Sequence, residues 1–174
     1  MIFTVKHRYV LGVDPSGNFY EGKGTTGYWV LDCKTGKTKE FGSISAKNCK
    51  SQLEYWENHL AKFVTLNKKY KDLAFSVEDY RLYAAKAKQQ INSTFETIQL
   101  IGIIKYWMYA TGRTLRMRLA TLAKNRFSDL WLEQNDYIYK KNGSWYCKGS
   151  SKALKTHERD ALRHALYYMY FENE

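Results

Sequence analysis

The segment Tyr9-Val10-Leu11-Gly12-Val13-Asp14-Pro15 constrains the fold of this chain more than any other. Its apolar residues fill both faces of an extended chain, and Pro15 stops it, so it reads as a strand covered on both sides. Such strands belong to sheets flanked by helices, which is an α/β architecture. Leu73-Ala74-Phe75-Ser76-Val77-Glu78 repeats the pattern, a short apolar run that ends in an acid. Between the two, residues 15–26 are rich in Gly, Ser, Asn and Thr and read as a loop. Residues 28–32 and 37–44 are strand-like around Lys34-Thr35-Gly36, which predicts a hairpin. Ser51-Gln52-Leu53-Glu54 is a capping box opening a helix to about Tyr70, with Leu53, Trp56, Leu60, Phe63 and Val64 as its apolar stripe.

The second half continues the alternation. Ser93-Thr94-Phe95-Glu96 is another capping box, before an apolar helix that ends near Gly112. Phe95, Ile98, Leu100, Ile101, Ile103, Ile104, Trp107 and Met108 surround most of its circumference, so it is expected in the core or at a subunit interface. Residues 115–122 read as a strand and 127–134 as a short helix. Tyr137-Ile138-Tyr139, Asn142-Gly143 and Trp145-Tyr146-Cys147 form a two-residue hairpin signature spanning 137–148. Thr156 is placed to cap a last helix over 158–171, with Leu162, Ala165, Leu166 and Met169 facing inward. With no repeat and no linker, residues 1–174 are expected to form one domain around a mixed sheet.

Charge narrows the partner. Lys and Arg number 28 against 17 Asp and Glu, a net charge of +11, which favours a polyanion. Aromatics at 16% and a single Pro provide for a packed core despite that charge. The surplus is locally concentrated. Residues 97–128 hold six basic residues (Lys105, Arg113, Arg116, Arg118, Lys124, Arg126) and no acid, and residues 137–156 hold five lysines and no acid. A solvated surface would also look basic, but two acid-free windows favour a nucleic-acid footprint. The longest nearly apolar stretch, 98–109, is too short to span a bilayer and contains Lys105, so no membrane role is expected. The first residues lack the basic-then-apolar order of a signal peptide. Cys33, Cys49 and Cys147 are scattered and odd in number, which suits a reduced, cytoplasmic compartment.

The acids at the strand ends point to chemistry. If the strands ending in Asp14 and Glu78 are parallel neighbours, about 4.8 Å apart, their carboxyl ends open where ligands bind in α/β sheets. Two carboxylates that close repel, and a hard divalent cation relieves the repulsion. On the last helix His157, Asp160 and His164 share a face away from the Leu162/Leu166/Met169 stripe. Each of these residues alone is as ordinary as a helix cap or surface acid; their conjunction is not. Asp79 should point to the opposite face from Glu78, Glu158 is expected to be solvated, and His164 reads as a structural hydrogen-bonder.

These residues carry a family likeness. Leu11-Gly12-Val13-Asp14-Pro15-Ser16-Gly17 followed by Thr26-Gly27-Tyr28-Trp29-Val30-Leu31 resembles the opening of RuvC-type Holliday junction resolvases. Val77-Glu78 is similar to the family's second acid, and His157-x-x-Asp160-Ala161-Leu162 to its C-terminal motif. The likeness covers residues 8–110 and 154–170, and the composition is similar to bacteriophage versions, which would act in a bacterial host's cytoplasm. It implies an RNase H-like fold with strand order 3-2-1-4-5 and a homodimer acting on four-way junctions. It also implies two Mg²⁺ ions, with Mn²⁺ as a substitute, on Asp14, Glu78, His157 and Asp160, cutting to leave 5′-phosphate and 3′-hydroxyl ends. Whether His157 or Glu158 is the fourth ligand stays open.

Three departures bear on DNA selectivity. The loop after Asp14 is longer, the aromatic after the second acid is replaced by Arg81 with Tyr80 and Tyr83 on either side, and residues 112–153 align with nothing in the family. Tyr80, Arg81, Tyr83, Lys86, Lys88, Arg113, Arg116 and Arg118 are the candidate DNA contacts. A less selective fork or flap nuclease, a non-catalytic DNA-binding protein on the same fold, and a ribonuclease on RNA/DNA hybrids are the alternatives.

Overall fold

The computed structural model describes residues 6–80 and 95–173. Strands β1 (Tyr9–Asp14), β2 (Thr25–Asp32), β3 (Thr38–Ser45), β4 (Leu73–Asp79) and β5 (Leu115–Leu119) form one sheet in the order β3-β2-β1-β4-β5. β1 pairs antiparallel with β2 and parallel with β4, and β4 pairs parallel with β5, so the sheet is mixed, as expected. Helix α1 (Gln52–Lys69) connects β3 to β4, and α2 (Glu96–Ala110) precedes β5. Then follow α3 (Ala120–Arg126), α4 (Asp129–Gln134), a separate two-stranded hairpin β6 (Ile138–Lys141) and β7 (Ser144–Cys147), and α5 (Thr156–Phe171).

Side-chain alternation divides the interior in two. Leu11, Val13, Val30, Phe75 and Val77 face α1 and α2, where Phe63, Leu66, Leu100, Ile104 and Met108 complete one core. Val10, Trp29, Leu31 and Ala74 face the other way, against Ala161, Leu162, Ala165 and Leu166 of α5 and against Phe127, Leu132, Ile138 and Cys147. Asp14 and Glu78 share parity with Val10 and Ala74, so both acids fall on the α5 side.

On that side the sheet residues are small, and α5 lies almost on the backbone. A Cβ on Gly12 would stand 1.9 Å from the Ala161 carbonyl oxygen, and one on Gly27 would stand 2.0 Å from that of His157. Ser76 Oγ donates to the His164 carbonyl at 2.6 Å. This seating fixes the height of α5 along the strands and therefore of the side chains it carries.

Several expectations change in detail. The buried face of α1 is Tyr55, His59, Phe63 and Leu66, while Leu53 and Val64 are exposed. The polar members are accommodated by hydrogen bonds: Tyr55 Oη donates to the Ser16 carbonyl at 2.7 Å, and His59 bridges the Tyr55 carbonyl and Thr26 Oγ1 at 2.6 and 2.7 Å. Helix α2 is buried on one side only, since Ile98, Tyr106 and Tyr109 are exposed. Its proposed cap, Ser93-Thr94, lies outside the described residues. The strand over 115–122 stops at Leu119, and α3 starts at Ala120. Ser51 does cap α1, accepting from the Glu54 amide. The hairpin turn Asn142-Gly143 has φ of 49° and 79°, the left-handed pair that the sequence signature requires. Among the described residues no helix is long and apolar enough to cross a membrane.

Candidate active site

Asp14 and Glu78 end neighbouring parallel strands in register: Val13 stands opposite Val77, one residue before each acid. The first turns of α5 run across these ends because Gly12 and Gly27 let the helix down onto β1 and β2. This brings His157 to Asp14, with Nδ1 to Oδ2 at 2.6 Å, and His164 to Glu78, with Nε2 to Oε2 at 3.0 Å. Asp160 is held from both sides, by Arg163 Nη1 at 2.5 Å and Lys124 Nζ at 2.9 Å. Asp79 turns to the other face and pairs with Lys105 of α2 at 3.3 Å, as alternation requires.

The four groups act on one another electrically. Burial raises the pKa of Asp14, and the charges of Glu78 and Asp160 raise it further against the opposing hydrogen bond from His157. His157 is raised above the usual imidazole value, chiefly by its hydrogen bond to Asp14, although burial opposes this. For Lys124 burial disfavours the charge, but the hydrogen bond to Asp160 and the charges of Asp160, Glu78 and Asp14 outweigh it and raise the pKa. Lys124 is thus an ammonium ion facing all three carboxylates. It lay in the first acid-free window of the sequence, but only the return of α3 toward α5 brings it here.

Glu158 is fully buried instead of solvated. Its carboxylate accepts from the Lys155 amide at 2.9 Å and pairs with Lys152 at 3.0 Å, closing the start of α5. Lys155, not Thr156, is the N-cap residue. Glu158 is thereby committed to the helix terminus, and His157 is the residue of the two that meets Asp14.

Whether a divalent ion suits this set can be judged from the donors. Among the described residues no three His, Cys, Asp or Glu side chains are grouped closely enough to form a metal cage. Each donor is turned to a partner: Asp14 to His157, Glu78 to His164, Asp160 to Arg163 and Lys124. In kind the donors fit a hard cation, since they offer three carboxylates and an imidazole. Mutual repulsion acts on the buried Asp14, and the Lys124 ammonium stands in for positive charge.

The candidate DNA contacts divide. Arg113 and Arg116 are exposed on the β5 side, and Tyr80 is partly buried after β4. Arg118 is buried and faces inward. Its guanidinium donates to Ser76 Oγ at 2.5 Å and the His164 carbonyl at 3.1 Å, pairs with Glu172, and lies over the Tyr167 ring. An arginine so committed ties β5 to α5, and it is withdrawn from the list of DNA contacts. Arg81, Tyr83, Lys86 and Lys88 lie outside the described residues.

No family model matches the sequence, and no curated protein matches it. Solved structures do. Thermus thermophilus RuvC in complex with a Holliday junction substrate superposes with a TM-score of 0.66 at 15% identity, over 93% of this chain and 92% of that one. A second Thermus thermophilus RuvC structure superposes with a TM-score of 0.61 at 14% identity, over 92% of each chain. The chain therefore has the RNase H-like fold of RuvC, with an additional two-stranded sheet.

Proposed function

We propose that this chain, acting as a single domain in a cytoplasmic compartment, is a divalent-metal-dependent endodeoxyribonuclease that resolves four-way DNA junctions as a homodimer. One observation carries the reading. Asp14, Glu78, His157 and Asp160 converge at the carboxyl ends of adjacent parallel strands. They do so on a fold that superposes over nearly its whole length with a junction-bound RuvC.

Asp14, Glu78, Asp160 and His157 would hold Mg²⁺, or Mn²⁺ in its place, which supplies Lewis-acid polarisation of the phosphate and an acidified attacking water. The chain's own groups do the rest. His157 keeps its proton at Nδ1 against Asp14 and leaves the other ring nitrogen on a half-exposed face, placed to exchange a proton with water or substrate. Lys124, half-exposed beside Asp160, can turn its ammonium from carboxylate to phosphate oxygen when a strand arrives. His164 holds Glu78 from beneath. Hydrolysis without a covalent intermediate leaves a 5′-phosphate and a 3′-hydroxyl.

The fact that every donor is already paired favours one rival, a DNA-binding protein on this fold without catalysis. Asp14→Asn separates the two. The variant should lose Mg²⁺-dependent cleavage of a labelled four-way junction while binding it as tightly or more so. Cleavage at near the wild-type rate sinks the site assignment. Wild-type binding without cleavage in Mg²⁺ or Mn²⁺ establishes the rival. Three-way, linear and RNA/DNA hybrid substrates in the same panel report selectivity, and sedimentation at about twice 20.5 kDa reports the dimer.

A further inference from the structure

We propose that the β6–β7 hairpin is a second DNA-backbone contact, a rigid basic arm built against the helix turn that carries His157 and Asp160. The proposal rests on the nuclease reading above and adds to it a surface that the catalytic groups do not include.

The hairpin is anchored as a fixed element. Ile138, Cys147 and Leu154 are buried in the core on the α5 side, and the Leu154 amide donates to the Trp145 carbonyl at 2.7 Å. Tyr139 and Tyr146 stack across the strands at 5.3 Å. Trp145 connects the arm to the candidate site, because the Arg159 guanidinium lies 6.0 Å from its ring centre, and Arg159 is the neighbour of Asp160. Lys152 reaches Glu158 in the same turn of α5.

The charges of the arm fall into two groups. Lys148 pairs with Asp136 and Lys152 with Glu158, so both are neutralised locally. Lys140 and Lys141 are exposed at the end of β6, and among the described residues neither has a carboxylate within ion-pairing distance. Lys140 lies instead over Trp145, 5.4 Å from the ring centre. Opposite them on β7 stand Trp145 and Ser144. Two uncompensated ammonium groups at the tip of a stiff hairpin, with no acid anywhere in residues 137–156, are the composition of a phosphate contact. An acidic protein surface would satisfy the same charges. Proximity to the helix turn bearing the candidate catalytic groups favours the DNA backbone.

The test measures binding to a synthetic four-way junction and to a linear duplex at several salt concentrations, without divalent metal so that nothing is cut. Lys140→Ala/Lys141→Ala should weaken binding to both DNAs. It should lower the slope of log affinity against log salt by about 2, roughly one unit per lost phosphate contact. Lys140→Arg/Lys141→Arg should restore the slope, and all variants should melt with the wild type because both side chains are exposed. Unchanged affinity and slope in the alanine variant, beside normal wild-type binding, overturn the hairpin proposal alone. Failure of the wild type to bind either DNA overturns the nuclease reading, and the hairpin proposal falls with it.

Discussion

Replacing Gly12 with alanine adds one methyl group where α5 rests on β1. The new Cβ would lie 1.9 Å from the Ala161 carbonyl oxygen and 2.7 Å from the Ala165 amide nitrogen, both backbone atoms that cannot swing aside. To reach even the tightest ordinary contact, near 3.0 Å, the helix must retreat by more than an ångström. Overpacking of a filled interior costs about 1–3 kcal/mol, and a backbone clash belongs at the upper end. For a chain of this size about 3 kcal/mol lowers Tm by roughly 6–12 °C. The same retreat draws His157 and Asp160 away from Asp14, and a misplacement of about 1 Å can cost on the order of 10²-fold in rate. Calorimetry without metal and single-turnover cleavage of a junction read the two effects. Gly102→Ala is the control, because a Cβ there meets nothing within 4 Å in an exposed stretch of α2. It should stabilise by about 0.5–1 kcal/mol. If Gly12→Ala melts within a degree of wild type and cuts normally, the close seating of α5 does not set the site.

Two further outcomes follow from buried polar groups. His59 is fully buried and its pKa is pushed down to about 4 by burial, so the unfolded chain takes up its proton first as pH falls. Its contribution to stability is therefore complete above the ordinary histidine value of about 6.5 and is lost between there and about 4. The loss amounts to roughly 3 kcal/mol by the bottom of that window. Denaturant titrations should show the wild type losing stability more steeply than His59→Gln over this range. His157, with its pKa raised, works in the opposite sense: its contribution is present below about 6.5 and is lost as pH rises through the raised value. Arg118→Met should cost about 3 kcal/mol by stranding Glu172 and the His164 carbonyl, yet leave the salt dependence of DNA binding unchanged. A reduced salt slope would return Arg118 to the DNA surface.

The sheet was legible because its strands announce themselves chemically. Apolar residues at both parities in 9–13 and 73–77 could only be central strands, and the acids that end them mark where the sheet opens. The α1 face was misread because Tyr55 and His59 look polar in a sequence; their burial depends on Thr26 and Ser16, which are distant in the chain. Arg118 misled for the same reason, since its partners Ser76 and Glu172 are 42 and 54 residues away. Glu158 betrays its role only through Lys152 and the Lys155 amide, a local pattern that the capping-box rule could have caught. No spacing rule finds Lys124, because α3 must first turn back over the sheet.

The ammonium of Lys124 gives the acidic cluster an internal counter-ion. A pocket of like charges that depended on a diffusible cation would make folding hostage to that cation's supply, as it is in small zinc-organised domains. Here a covalently tethered charge keeps the resting site close to electroneutral, so a chelator should leave the melting temperature nearly unchanged. The tether also sets a loading threshold: any ion that enters must compete with a cation that can never diffuse away. Sensitivity to magnesium is then a property of one lysine, and Lys124→Gln should shift the concentration needed for half-maximal cleavage to lower values.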